Sequence, residues 1–153
     1  MDTKMKRKKP DIDLDLLPAL VGYQLRLAQI AIFRDFSSTL GELNMTPGLF
    51  GVLVIIDANS GLTQNALAKA THLDRSTVVT VIDKLEQRGL VERRAAVPDR
   101  RAYALVLTEA GSKLLKRLKM LVLEHEQRLC KNLTNTERGQ LVRLLQRIFP
   151  ELR

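Results

Sequence analysis

The sequence has no tryptophan, and its four phenylalanines and two tyrosines make aromatic residues only 4% of 153 positions. A core built from it must therefore be aliphatic. Glycine numbers 8 and proline 5, which favours an α-rich fold over a turn-dense β architecture. The single cysteine excludes an internal disulfide and suits a reducing compartment. His72 and His125 are the only histidines. Neither belongs to an HExxH motif or a metal-spaced Cys/His set, and the sequence has no nucleophile elbow or glycine-rich phosphate loop. Glu124 and Glu126 beside Arg128 read as a solvated helix face rather than an acid/base pair. The inventory argues against an enzyme and implies no cofactor. No apolar run approaches the roughly 20 residues that a membrane-spanning helix needs. The stretch DIDLDLLPALVG, behind the basic N-terminus, is too short and acidic for a signal-peptide core. The expectation is a cytoplasmic protein.

Positive charge is what the sequence has in excess. Lysine and arginine total 25 against 17 acidic residues, a formal charge of +8 and a pI of about 10.0. Such a balance points to a polyanionic partner, either nucleic acid or an anionic membrane surface. Part of the excess lies in MKRKK, within residues 1–10, which read as a basic flexible tail. Apolar residues at 45% are enough, at this length, for one domain with a real core.

Behind the tail, Leu16, Leu20, Tyr23, Leu27 and Ile30 recur at three- and four-residue steps, with Ile32 two residues on, predicting one helix from about Leu14 to Leu43. Thr46 and Pro47 have the chemistry of a helix cap and first helical position, and ANSG ends that helix. Thr63 then caps a short helix to about Thr71. Asp74 caps another, which Gly89 closes. Two short helices joined by about three residues, with Ala66 and Ala68 at their crossing, make a helix-turn-helix. Beyond Gly89 the period changes. LVERR and RAYALVL have strand composition around a turn at Ala95–Asp99, so a hairpin wing follows the second helix directly. Thr108 caps a long helix to about Lys131. The capping box Thr134–Glu137 starts a last helix to about Phe149.

The fold class predicted is mainly α with a small β wing. Residues 11–45 and 109–153 form N- and C-terminal dimerisation helices around a winged helix-turn-helix at 46–108. The terminal helices carry more apolar surface than one small winged domain can cover, so a homodimer is expected.

At 100° per residue, Val78, Val81, Ile82 and Leu85 fall on one side of the helix after Asp74 and should face the core. Ser76, Thr80, Asp83 and Gln87 fall opposite, flanked by Thr77, Val79 and Lys84, with Arg75 at the start. Small hydroxyls let a helix sit deep in a major groove, and Val79 could meet a thymine methyl. Alone, this face fits any solvated helix. The arginine hairpin beside it shifts the reading to double-stranded DNA. Arg93, Arg94, Arg100 and Arg101 can reach phosphates and the narrow minor groove, while Asp99 suits bracing a neighbouring arginine or capping the turn.

The stretch LDRSTVVTVIDKLEQRGLVERRAAVPDRRAYALVLTEAG resembles the core signature of MarR-family transcriptional regulators. The matching positions are Leu85 to Arg93, Asp99 with Arg101, and Leu107 to Gly111. The resemblance implies dimers on pseudo-palindromic operators, usually repressors released by a small ligand or by oxidation. It makes Arg101 the minor-groove side chain and Asp99 the wing stabiliser. One departure is TPGLFGVL, where the family more often has a polar residue in place of Leu49 or Phe50.

By the same resemblance an effector pocket lies between the first two helices and the DNA-binding lobe, which nominates Tyr23, Arg26, Ile30, Phe33, Phe36, Phe50 and Val54. Apolar walls with an aromatic and a cation suit an aromatic acid or its acyl-CoA thioester, although these side chains would equally serve as core. VGYQLRLAQIAIFRDF is similar to the first helix of a subgroup responding to hydroxycinnamoyl-CoA thioesters. Two alternatives stand beside this reading. Cys130 offers redox sensing, though redox sensors of the family usually carry the reactive cysteine near the first helix. KLLKRLKMLVL has the superficial form of a membrane-surface helix, though its leucines fit dimer packing better.

Overall fold

The computed structural model describes residues 12–95 and 103–150. The basic tail at 1–10 and the hairpin tip, with Asp99, Arg100 and Arg101, lie outside the described residues. The segment expected as one helix from Leu14 to Leu43 is divided. Leu17–Ala19 forms a 3-10 turn, Leu20 is extended, and helix α1 spans Val21–Leu40 before a second 3-10 turn at Gly41–Leu43. A helix begun at Leu14 would need an N–H from residue 18 for its first bond. That residue is Pro18, which has none.

Each following helix starts on its own cap. Thr46 accepts from the Leu49 N–H at 3.2 Å for α2, Pro47–Ala58. Thr63 accepts from Ala66 at 3.2 Å for α3, Gln64–Thr71, and Asp74 from Thr77 at 2.9 Å for α4, Arg75–Gln87. α4 ends in a Schellman arrangement. Gly89, at φ 65°, donates to the Glu86 carbonyl at 2.8 Å, and Leu90 to the Leu85 carbonyl at 3.0 Å. Left-handed backbone of this kind is where glycine is free of strain. Thr108 opens α5, Glu109–Leu129, and the reciprocal Thr134–Glu137 box opens α6, Asn135–Ile148. The hydrogen bonds from Thr134 hold the Glu137 carboxyl below its ordinary range.

The sheet has a strand that periodicity did not reveal. β1, Leu62–Thr63, joins β2, Val91–Ala95, and β3, Tyr103–Leu107, in the antiparallel order β1-β3-β2. Two residues are too few for alternation to show. β3 pairs with β1 through Leu62–Leu105 and with β2 through Val91–Leu107 and Arg93–Leu105.

The core is aliphatic as expected: Leu40, Leu53, Ile56, Leu67, Ile82, Leu85, Leu105, Leu115 and Leu118 are fully buried. The α3–α4 crossing needs one correction. Leu67 and Ala68 are buried, but Ala66 is exposed. At 3.6 residues per turn, residues 66 and 68 lie about 200° apart, so they cannot share a face. α5 runs from the wing to α1. Its cap residue Thr108 donates its hydroxyl to the Gly89 carbonyl at 2.6 Å, and Lys119 bonds Asp57 of α2 at 2.7 Å. α6 buries none of its residues. Leu141, Val142, Leu144 and Ile148 are exposed, as are Leu27, Ile30 and Phe33 of α1 and Leu20 just before it. No single helix among the described residues is long and apolar enough to cross a membrane.

Candidate nucleic-acid interface

α4 presents the two faces its periodicity predicts. Val78, Ile82 and Leu85 are buried and Val81 packs against them, whereas Arg75, Ser76, Val79, Thr80 and Lys84 are exposed and Thr77 is half-buried. The hydroxyl chemistry differs from the simplest expectation of free donors. Ser76 and Thr77 both donate to the Asp74 carboxylate, at 2.5 and 2.6 Å, and Thr80 donates to the Ser76 carbonyl at 3.0 Å. Those hydroxyl bonds, with the Thr77 backbone N–H, hold the Asp74 carboxyl far below its ordinary range. The protons of all three hydroxyls therefore point into the helix end. A hydroxyl oxygen keeps lone pairs after donating, so the exposed face is suited to accept from base amino groups until a partner competes for the protons. The preceding turn is set by His72, which caps α3 in the left-handed region at φ 55°.

The arginines at the wing base separate by strand alternation. Successive side chains point to opposite faces of a sheet. Arg93 shares the face of Val91 and meets α4 and α3. It donates to Asp83 at 2.6 Å, to Glu86, and to Gln64 at 3.1 Å, and its side chain is only 18% exposed. Partial burial alone would lower its pKa. The hydrogen bonds and charges of Asp83 and Glu86 outweigh that, and the net shift is upward. Arg93 therefore holds the wing base against α4, with its donors on protein groups. Arg94 lies on the other face, 65% exposed, and engages only Glu92 among the described residues. Asp83, read from sequence as part of the polar face, and Glu86, which the sequence did not single out, are the partners that periodicity could not foresee. They sit 10 and 7 residues from Arg93 and meet it only because the hairpin folds back.

A further long-range contact fixes the C-terminal end of α4. Arg88 donates to the Asn44 and Leu43 carbonyls, both at 2.9 Å. These carbonyls belong to the turn between α1 and α2, so the C-terminal half of α4 is held by Arg93 from the wing and by Arg88 to the α1–α2 turn.

The nominated effector residues distribute over three environments. Tyr23 is half-buried on α1, where Arg26, Ile30 and Phe33 are exposed. Phe50 and Val54, on α2, are half-buried against the core. Phe36 is withdrawn into the core, 4% exposed, with its ring edge-on to His125 at 5.5 Å. An apolar cavity of about 360 Å³ opens between α1, the end of α5 and α6. Its walls include Leu25, Ile32, Phe33, Leu129, Cys130 and Leu141. It continues into a second of about 420 Å³ along Leu144, Leu145 and Ile148. Phe33 is the nominated residue that reaches it. No group of three or more metal-binding side chains occurs among the described residues.

The chain's relatives agree with this geometry. The family model for the MarR family matches residues 43–102, from the turn before α2 to the hairpin. Over 130 residues the chain is 42% identical to a transcriptional regulatory protein for the hcr operon of Thauera aromatica, covering 84% of this chain and 78% of that one. The transcriptional repressor CouR bound to a 23-mer DNA duplex superposes with a TM-score of 0.86 at 37% identity, covering 90% of this chain and 98% of that one. CouR bound to p-coumaroyl-CoA superposes with a TM-score of 0.82 at 34% identity, covering 90% and 97%. Helix pair, wing and relatives agree: the chain belongs to the MarR family of transcriptional regulators, which are DNA-binding regulators and not enzymes.

Proposed function

We propose that two copies of this chain bind one pseudo-palindromic operator as a repressor, and that an aromatic acyl-CoA thioester releases them. The observation that carries the DNA reading is the exposed polar face of α4, braced along its C-terminal half and flanked by an outward arginine. Each α4 enters a major groove with Arg75, Ser76, Thr77, Val79, Thr80 and Lys84, in half-sites about 34 Å apart. Arg94 meets the phosphate backbone. Arg100 and Arg101 extend the wing toward the minor groove, with Asp99 bracing the tip. The second copy covers the apolar faces of α1 and α6, which one chain leaves in solvent.

The effector reading rests on similarity to CouR, which was solved with p-coumaroyl-CoA bound, and on the first-helix resemblance. Of the nominated residues Phe33 lines the cavity between α1, α5 and α6; in this reading Tyr23, Arg26, Ile30, Phe50 and Val54 would complete the effector wall, with Phe36 behind it in the core. In a fluorescence-anisotropy titration with duplex from the protein's own locus, p-coumaroyl-CoA is expected to weaken binding and free p-coumarate to leave it intact. Failure of both to alter the complex would remove the thioester reading. Arg101→Ala should cost about 1–3 kcal/mol of operator affinity if it reads the groove. Unchanged affinity would return the wing tip to a structural role.

A further inference from the structure

α5 is a single rod of 21 residues, about 32 Å at 1.5 Å per residue. Its first turn is bonded to the wing base: Thr108 takes a backbone bond to the Leu90 carbonyl at 3.1 Å and gives its hydroxyl to Gly89 at 2.6 Å. Its far end meets α1 through four polar side chains. His125, 3% exposed, places Nδ1 2.5 Å from Oδ2 of Asp35. One turn on, Arg128 donates to the same Asp35 oxygen at 3.3 Å and to the Thr39 hydroxyl at 2.7 Å. Thr39 in turn donates to the Asp35 carbonyl at 2.9 Å. The His125 bond is the largest influence on the Asp35 carboxyl. Partial desolvation opposes it, Arg128 reinforces it, and the carboxyl is held below its ordinary range.

Two residues four apart on α1 thus engage two residues three apart on α5. Both spacings put the pair on one helix face, so the contact fixes helix rotation as well as helix distance. An aliphatic contact tolerates sliding and rotation that a directional hydrogen bond to a buried ring does not. The histidine ring is also pinned edge-on by Phe36. The four polar side chains of this contact lie outside the buried aliphatic core, which joins α2, α3, α4 and the sheet to Phe36 and Leu40 of α1 and to Leu115 and Leu118 of α5.

We propose that Asp35, Thr39, His125 and Arg128 form a latch that sets the α1–α5 crossing, and that Asp35 and His125 are thereby positioning residues for operator binding. The inference rests on the reading of a dimer spanning two half-sites. In such a dimer the separation of the two α4 helices depends on how each lobe hangs from its terminal helices, and α5 is the rod that hangs it. Loosening the latch leaves each lobe intact but spreads the distances between recognition helices, so fewer molecules match the operator spacing.

The test measures operator affinity by anisotropy for the full-length protein, Asp35→Ala, Asp35→Asn, His125→Leu and the Asp35→Ala/His125→Leu double variant. Light scattering and thermal melting are recorded on the same samples. Asp35→Asn keeps an acceptor for the His125 N–H, and His125→Leu keeps an apolar side chain against Phe36. The expected result is a loss of about tenfold in Asp35→Ala and in His125→Leu, within the usual span of coupling energies. The double variant should be no weaker than either single one, Asp35→Asn should restore most of the affinity, and all should remain dimeric. Wild-type affinity in Asp35→Ala, or a double-variant loss equal to the product of the single losses, overturns the proposal. So does equal loss in Asp35→Ala and Asp35→Asn. If His125→Leu does not fold, the comparison of the two Asp35 variants decides alone, since this side chain is 37% exposed on a helix. An unaltered chain that is monomeric or does not bind the duplex would instead overturn the dimer reading, so the two failures are distinguishable.

Discussion

Replacing Gly111 with alanine is expected to destabilise the chain by about 2–3 kcal/mol, overpacking it against backbone that cannot move aside. Gly111 is buried in the first turn of α5, where its N–H completes the Thr108 cap at 3.0 Å. A Cβ there would lie 2.0 Å from the Leu90 carbonyl oxygen and 2.9 Å from its carbon. No rotamer relieves contact with a backbone carbonyl, and the same carbonyl already accepts from Thr108. Helix propensity acts the other way and favours alanine by about 1 kcal/mol. The clash is the larger effect because relief requires α5 to lift from the wing base. For a chain of this size the loss should lower the melting temperature by about 6–10 °C. Gly51→Ala is the internal control. A Cβ at residue 51, within α2, meets nothing within 4 Å, so propensity acts alone and the variant should melt at or above the parent temperature. If both variants melt alike, the close approach at Leu90 does not constrain the fold.

Arg93→Ala is expected to weaken operator binding at least about tenfold, the equivalent of one lost hydrogen-bonded charge. Its effect on stability should be smaller, because Asp83 and Glu86 are 49% and 41% exposed and water screens them. The binding loss has two sources. The wing base loses its bonds to α4 and α3, and two carboxylates on the DNA-facing helix lose their counter-charge beside phosphates. The defect should therefore be greatest at low salt, where unscreened carboxylates repel most strongly. Arg93→Lys should restore little, since one ammonium cannot span Gln64, Asp83 and Glu86 as the guanidinium fork does. Adding Asp83→Asn and Glu86→Gln to Arg93→Ala should recover part of the affinity by removing the repulsion. Measured salt slopes decide it. A defect that does not vary with salt would place the whole effect in wing geometry.

The contrast between Arg93 and Arg94 shows how far sequence reasoning carries. The β2 sequence VERRA already contains the answer, because alternation along a strand sends neighbours to opposite faces. Knowing which face turns inward requires the partners, Asp83, Glu86 and Gln64, and these come from two other elements. His125 is a parallel case. A lone histidine in a leucine-rich helix gives no sequence signal of a partner 90 residues away, yet Asp35 lies 2.5 Å from it. Ala66 and β1 were missed for simpler reasons, a face assigned by residue size and a strand too short to alternate.

The sequence by itself determined the local grammar of this protein: where helices begin and end, which face of α4 is apolar, and where a wing follows. Caps, periodicity and glycine positions act over a few residues and are written side by side in the chain. Only the tertiary structure decided which charges are engaged and which remain on the surface, why Gly111 must be glycine, and how α5 is fastened at both ends. Those depend on groups brought together across 7 to 93 residues. Their energies depend on distance and burial in the folded chain, and neighbouring residues do not encode either.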